Sequence, residues 1–195
     1  MKINRTLKLG IILACFTITG LAQAQTVLWS ENFDDGNGDN RWYADAGVWQ
    51  TGSPTIGPET NSIGYRTHSG ADCATTGLTA NYPVGANSRL IRIQSFTIPA
   101  AAEFPRLRFW QWYDFHQPSG PDYGVVEVQG TNGIWQAVSP HYTGSGGDWT
   151  YASIDLSDYA DQTVQVAFHL VWVSNNPTAP GWYIDDIALE AGVPA

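Results

Sequence analysis

Apolar and polar residues alternate along this chain with a period of two, which places successive side chains on opposite faces of a β-strand. The clearest run covers 163–172. There Val164, Val166, Phe168, Leu170 and Trp172 fall on one face, and Gln165, Ala167, His169 and Val171 on the other. Comparable runs predict strands over 27–31, 47–51, 63–67, 88–98 (broken within), 107–115, 125–129, 135–138, 149–155 and 182–190. Gly, Pro, Asn and Asp separate these runs, the punctuation of an all-β sandwich. Gly130-Thr131-Asn132-Gly133 reads as a hairpin turn between two strands. No apolar periodicity supports a helix longer than about a turn. Leu156-Ser157-Asp158-Tyr159 fits a single helical turn capped by Asp155.

One segment departs from this pattern. Lys2, Arg5 and Lys8 precede an apolar run from Leu9 to Leu21, followed by Ala22-Gln23-Ala24. A basic start, a short apolar stretch and an A-x-A site form a secretory signal peptide, cleaved near Ala24. The run is too short for a membrane-spanning helix, which needs about 20 residues. Ile12-Leu13-Ala14-Cys15 weakly resembles a lipoprotein cleavage box, but the apolar stretch continues past Cys15 and reaches the better site at Ala24. The expected mature chain, 25–195, is one domain with no internal repeat or low-complexity linker. Cys73 is its single cysteine, so an internal disulfide is excluded and a buried thiol is expected.

Charge narrows the partners. Both lysines lie in the expected leader, leaving six arginines against 18 carboxylates. Phosphate backbones need clustered Lys and Arg, so nucleic acid and anionic membrane are poor partners. An acidic, lysine-free surface suits an extracellular environment and cation binding.

The most unusual chemistry is at the end of the chain, where Gly181-Trp182-Tyr183-Ile184-Asp185-Asp186-Ile187 puts two adjacent carboxylates inside an apolar strand. Strands are poor in Asp, and a desolvated carboxylate needs a partner or a metal. Near the start lies Glu31-Asn32-Phe33-Asp34-Asp35-Gly36-Asn37-Gly38-Asp39. If the first and last strands are neighbours, Glu31, Asp34, Asp185 and Asp186 converge on one calcium site, with Asn37 and Asp39 as further oxygen ligands. Asp35-x-Asn37-x-Asp39 alternates like a calcium loop but lacks the bidentate Glu of an EF-hand, and taken alone reads as a turn.

Catalytic motifs are absent from the sequence. The four histidines, at 68, 116, 141 and 169, show no close ligand spacing and no His-Glu-x-x-His. Thr67-His68-Ser69 and Gly144-Ser145-Gly146 invite a hydrolase reading, but neither is the G-x-S-x-G nucleophile elbow. With 18 carboxylates, a paired-carboxylate glycosidase stays open.

Nine Trp, nine Tyr and seven Phe suit a sandwich core and equally suit platforms for sugar rings. Trp172, Asn175, Asn176 and Trp182 flank a Pro-rich loop at 177–180, and Tyr113 begins another aromatic stretch. Either group is a candidate sugar platform or a set of strand-end residues packed over the sandwich edge.

Taken in order, several fragments form a larger pattern. They are Glu31-x-Phe33-Asp34, Trp42, Trp49, Tyr82-Pro83, Asn87-Ser88-Arg89-Leu90, Leu107-x-Phe109-x-x-Trp112-Tyr113 and Asp122-x-Gly124-Val125-Val126-Glu127-Val128. Trp135, Trp149, Ile154-Asp155-Leu156-Ser157-x-Tyr159-Ala160, Val164-x-Val166-x-Phe168 and the Gly181–Ile187 motif follow. Together they resemble the MAM-like modules of bacterial secreted proteins, of the choice-of-anchor, cleaved-adhesin and immune-inhibitor-A C-terminal type. The resemblance implies a jelly-roll β-sandwich of two antiparallel sheets, used for binding or adhesion, with structural calcium served by Asp34, Asp185 and Asp186. The chain departs from the pattern at His116, near which relatives commonly carry a glutamate, and it lacks the disulfides of animal MAM domains. The expectation is a secreted, non-catalytic module that binds an extracellular protein or glycan. The alternatives are a dedicated carbohydrate-binding module or a polysaccharide-active or other hydrolase.

Overall fold

A computed structural model describes residues 24–115, 122–173 and 177–193. The expected signal peptide, with Cys15, lies outside the described residues apart from Ala24, and His116, Asn175 and Asn176 lie outside them too. The strands in chain order are β1 (Thr26–Glu31), β2 (Trp42–Ala44), β3 (Gln50–Gly52), β4 (Cys73–Thr75), β5 (Asn87–Arg92), β6 (Phe96–Thr97) and β7 (Arg106–Asp114). They continue with β8 (Tyr123–Gln129), β9 (Trp135–Ala137), β10 (Tyr142–Thr143), β11 (Thr150–Asp155), β12 (Thr163–Val171) and β13 (Gly181–Ala191). Among the described residues, helical structure is limited to α1 (Gly38–Arg41) and single 3-10 turns at Ala101–Glu103 and Ser157–Tyr159.

These strands form two antiparallel sheets. One has the order β11-β7-β13-β4-β3, with β1 also paired to β13. The other runs β10-β8-β12-β5-β2, with β6 on β12 and β9 on β8. The first and last strands are therefore neighbours, with Glu31 opposite Ile187 and Thr26 opposite Ala191. β4 takes the other half of the same edge of β13, pairing at Tyr183 and Ile184.

The alternation of β12 works as its sequence implies. Val164, Val166, Phe168 and Leu170 are buried between the sheets. At the centre of that core is Trp182, fully buried, with the rings of Trp49, Tyr142, Phe168 and Phe115 at centroid distances of 5.8, 5.5, 5.6 and 6.4 Å. Its indole N–H donates to Gln111 Oε1 at 2.9 Å, so the one polar atom of a large apolar side chain is satisfied. Across the sandwich the ring rests on Gly124, where a Cβ would come within 2.5 Å of it. A glycine at 124 is what lets so large a ring fit between the sheets.

The predicted strand over 63–67 is not a strand. It lies in the long connection from β3 to β4, which turns repeatedly and folds back over the outer face of the six-stranded sheet. There Gly57 presses on the Tyr183 ring, and Cys73, Trp112 and Tyr183 form a small second apolar cluster with Trp149. Asn61 organises the segment by accepting the N–H groups of Ile63 and Tyr65, a local bonding that competes with strand pairing.

Candidate functional site

The Asp pair interrupts β13. Pairing with β7 is regular from Gly181 to Asp185 and from Ala188 to Glu190, and the register shifts between. Asp186 sits in this bulge with φ +48, a left-handed conformation tolerated by Asp better than by most residues. The bulge sends the two carboxylates in different directions. Asp185 is fully buried, and Asp186 remains partly accessible.

Both acids engage the tip of the long β3–β4 connection. One oxygen of Asp185 accepts the backbone N–H of His68 and of Ser69, each at 3.0 Å, and the other accepts the Asp186 N–H at 2.8 Å. Asp186 takes the Ser69 hydroxyl at 2.9 Å and lies 2.6 Å from His68 Nδ1. Asp34 binds the far side of the same turn, accepting the Ala71 and Asp72 N–H groups at 2.7 and 3.1 Å. Gly70 lies against that carboxylate, where a Cβ would be 1.8 Å from Asp34 Oδ2. Segments 34, 67–72 and 185–186 are thus fastened together by three carboxylates. Burial, with the charge of Asp186, pushes Asp185 up to about 8, against the lowering effect of the Ser69 and Asp186 N–H groups.

The remaining expected ligands have other partners. Glu31 is buried and fully engaged: Arg41 holds both its oxygens, Trp42 Nε1 donates at 3.2 Å and the Phe33 N–H at 2.9 Å. Arg41 also binds Asp35, at 2.8 and 2.9 Å. Asp39 accepts the Thr51 hydroxyl at 2.8 Å, and Asn37 closes a turn with Asp35. Of the six expected ligands the structure gathers Asp34, Asp185 and Asp186 around one loop, while Glu31, Asn37 and Asp39 are engaged by other protein groups. Among the described residues no group of three or more His, Cys, Asp or Glu side chains is arranged to hold a metal ion. The donor chemistry of Asp34 and Asp185 suits calcium, while their oxygens point at backbone N–H groups.

The aromatic candidates resolve differently. Trp182 is the core residue described above, and so is no surface platform. Tyr113 packs on Phe115 at 5.7 Å, and Trp172 is partly buried against the core. Thr67-His68-Ser69 is no hydrolase arrangement either, since the Ser69 hydroxyl donates to Asp186 rather than to the imidazole.

Sequence reading missed Trp110 and Arg108. Trp110 stacks on His68 at 3.9 Å and 13°, with Tyr151 edge-on at 5.7 Å. With Arg108, Arg41, Glu31, Asp35 and Asp186 it lines a depression of about 530 Å³ between β1 and β7. The signal that could have found it is the alternation of 106–112, which puts Arg106, Arg108, Trp110 and Trp112 on the outward face of β7. On the outer face of the other sheet, Glu127 is bound by Arg89 at 2.6 Å and lies 3.2 Å from His169, which in turn bonds Asn87 at 2.7 Å.

No family model matches the chain. A relative among characterised proteins is Bacillopeptidase F of Bacillus subtilis (strain 168), 33% identical over 144 residues, which is 73% of this chain and 9% of that protein. Among solved structures, the CBM22-1 xylan-binding domain of Xyn10C from Paenibacillus barcinonensis is similar, with a TM-score of 0.55 at 14% identity over 90% of this chain and 100% of that one. The cleaved-adhesin domain of Lys-gingipain from Porphyromonas gingivalis aligns with a TM-score of 0.53 at 16% identity, over 85% of this chain and 97% of that one. At these identities the likeness is one of fold, and the fold is a jelly-roll β-sandwich of two antiparallel sheets.

Proposed function

We propose that this chain is a secreted, non-catalytic binding module for an extracellular glycan or protein, and that its last-strand acids are a structural clasp. The observation that carries this reading is the engagement of Asp185 and Asp34, whose oxygens accept backbone N–H groups of a single loop. Carboxylates held in this way order the chain; they are not placed across a cleft for acid–base work. The fold shared with a xylan-binding domain and an adhesin domain supports the binding role. The chain spans 9% of Bacillopeptidase F and has neither His-Glu-x-x-His nor G-x-S-x-G, so that protein's activity is not carried over to it.

Calcium belongs to the same proposal. Asp34, Asp185 and Asp186 would hold it, supplying hard oxygen ligands, and its role would be to reinforce the join rather than to do chemistry. What favours it is Asp185, a buried acid raised to about 8 beside two further carboxylates, an arrangement that a cation relieves. Glu31 stays outside this ligand set because Arg41 already neutralises it.

The experiment is a paired assay on polymers and on peptide substrates. The mature protein should be retained by an extracellular polymer or protein surface while releasing no reducing ends or peptides. Hydrolysis of either substrate class would overturn the non-catalytic reading.

A further inference from the structure

We propose that the depression beside Trp110 is a binding site for a neutral, hydroxyl-rich oligosaccharide. This rests on the reading of the chain as a binding module and gives that module a site and a ligand class.

Three observations converge. The depression is concave and has one aromatic wall, and that wall is immobilised: Trp110 is stacked on His68 on one side and braced by Tyr151. A rigid indole offers sugar ring faces an apolar surface without ordering cost on binding.

Unused donors line the same depression. The Trp110 indole N–H, the Ser30 hydroxyl and the two terminal nitrogens of Arg108 have no hydrogen-bond partner among the described residues, although Arg108 Nε is held by Glu190. Acceptors stand opposite. Asp35 is exposed, and each oxygen of Asp186 makes one bond and keeps a free lone pair.

The charges of the depression are largely paired, Arg41 with Glu31 and Asp35 and Arg108 with Glu190, so a charged ligand of either sign finds no unpaired cluster of the opposite sign there. A neutral ligand whose hydroxyls both donate and accept needs no such cluster and matches both sets of groups. The outer face of the seven-stranded sheet is a weaker candidate, because Arg89, Glu127, His169 and Asn87 already satisfy one another there.

The test is affinity electrophoresis and calorimetry of the mature protein on arabinoxylan, galactomannan and mixed-linkage β-glucan, with polygalacturonate as the anionic control. Three variants accompany it: Trp110→Ala, Ser30→Tyr, which fills the depression from an exposed strand position, and Tyr43→Ala on the opposite sheet, each checked for folding by circular dichroism. At least one neutral polymer should bind, with affinity reduced at least tenfold in Trp110→Ala and Ser30→Tyr and unchanged in Tyr43→Ala. If the wild type binds but only Tyr43→Ala weakens it, the site is wrong while the binding-module reading survives. Binding of polygalacturonate alone, or of no glycan, overturns the ligand class, and the hydrolysis and retention assay above then decides the module reading separately.

Discussion

Asp185 and His68 stand 117 residues apart in the chain, yet the carboxylate of one accepts the backbone N–H of the other at 3.0 Å. The same oxygen takes the Ser69 N–H at the same distance, so one buried acid fixes the loop 67–72 on the last strand. Removing it strands three N–H groups in a place that water reaches poorly. Asp185→Ala should cost on the order of 2–4 kcal/mol, since each buried unsatisfied group costs about 1–3 kcal/mol. Urea unfolding measures it, and a loss well under 1 kcal/mol would show that the loop is held by other contacts.

The pH dependence follows from the same residue. Burial raises Asp185 to about 8, above its unfolded value near 4. Between about pH 4 and pH 8 the folded state binds this proton more tightly, so the contribution is complete below about 4 and is lost as pH rises through about 8. Asp35 acts in the opposite sense. The Arg41 hydrogen bond holds it low, and its contribution is lost as pH falls below about 4. Stability should decline from about pH 4 to pH 8, and Asp185→Asn should flatten that decline in a series of denaturant titrations.

Much of the fold is legible in the sequence because the alternation that marks each strand is local in it, whereas the pairing of strands is not. The run 163–172 becomes β12, and the runs around 107–115 and 182–190 become β7 and β13 within a residue or two at each end. The short strands β4 and β10 carry too few residues to show a period, and the predicted strand at 63–67 lost to the local hydrogen bonding of Asn61. Of the site, the sequence marks the acids, because buried Asp is anomalous anywhere. It does not mark their partners. The groups that meet Asp34 and Asp185 are mainly backbone N–H, which every residue except proline has, so nothing in residues 67–72 announces the contact. Glu31 shows a related limit: Arg41, ten residues on, neutralises it, and sequence alone does not rank an arginine against a cation.

That pair gives a third prediction. Glu31 is buried, with Arg41 and Trp42 as its side-chain partners. Arg41→Ala leaves an uncompensated buried charge and should destabilise by roughly 3 kcal/mol, with Arg41→Lys recovering only part, because one ammonium cannot reproduce the bidentate contact. Equal stability of the two variants would contradict this.

Gly70 is a fourth point of leverage. It has φ +54, and a side chain there meets Asp34. Gly70→Ala should cost about 1–3 kcal/mol and speed amide exchange at Ala71 and Asp72 without affecting β12. Unchanged exchange at those amides would place the strain elsewhere.

Cys73 is completely buried, and burial, with the charges of Asp185, Asp72 and Asp34, raises its thiol well above the usual range. It should resist a thiol-labelling reagent in the native protein and react at once in denaturant. Rapid native labelling would mean that the loop covering it opens.

The most direct test is thermal unfolding of residues 25–195 in calcium and in EDTA, with Asp185→Asn and Asp34→Ala alongside. The account predicts a rise of several degrees with calcium that both variants lose, as expected of an ion bound only by the folded state. A wild-type melting temperature indifferent to calcium, after EDTA treatment harsh enough to strip a tight site, would contradict the metal and leave the clasp to the backbone N–H groups alone.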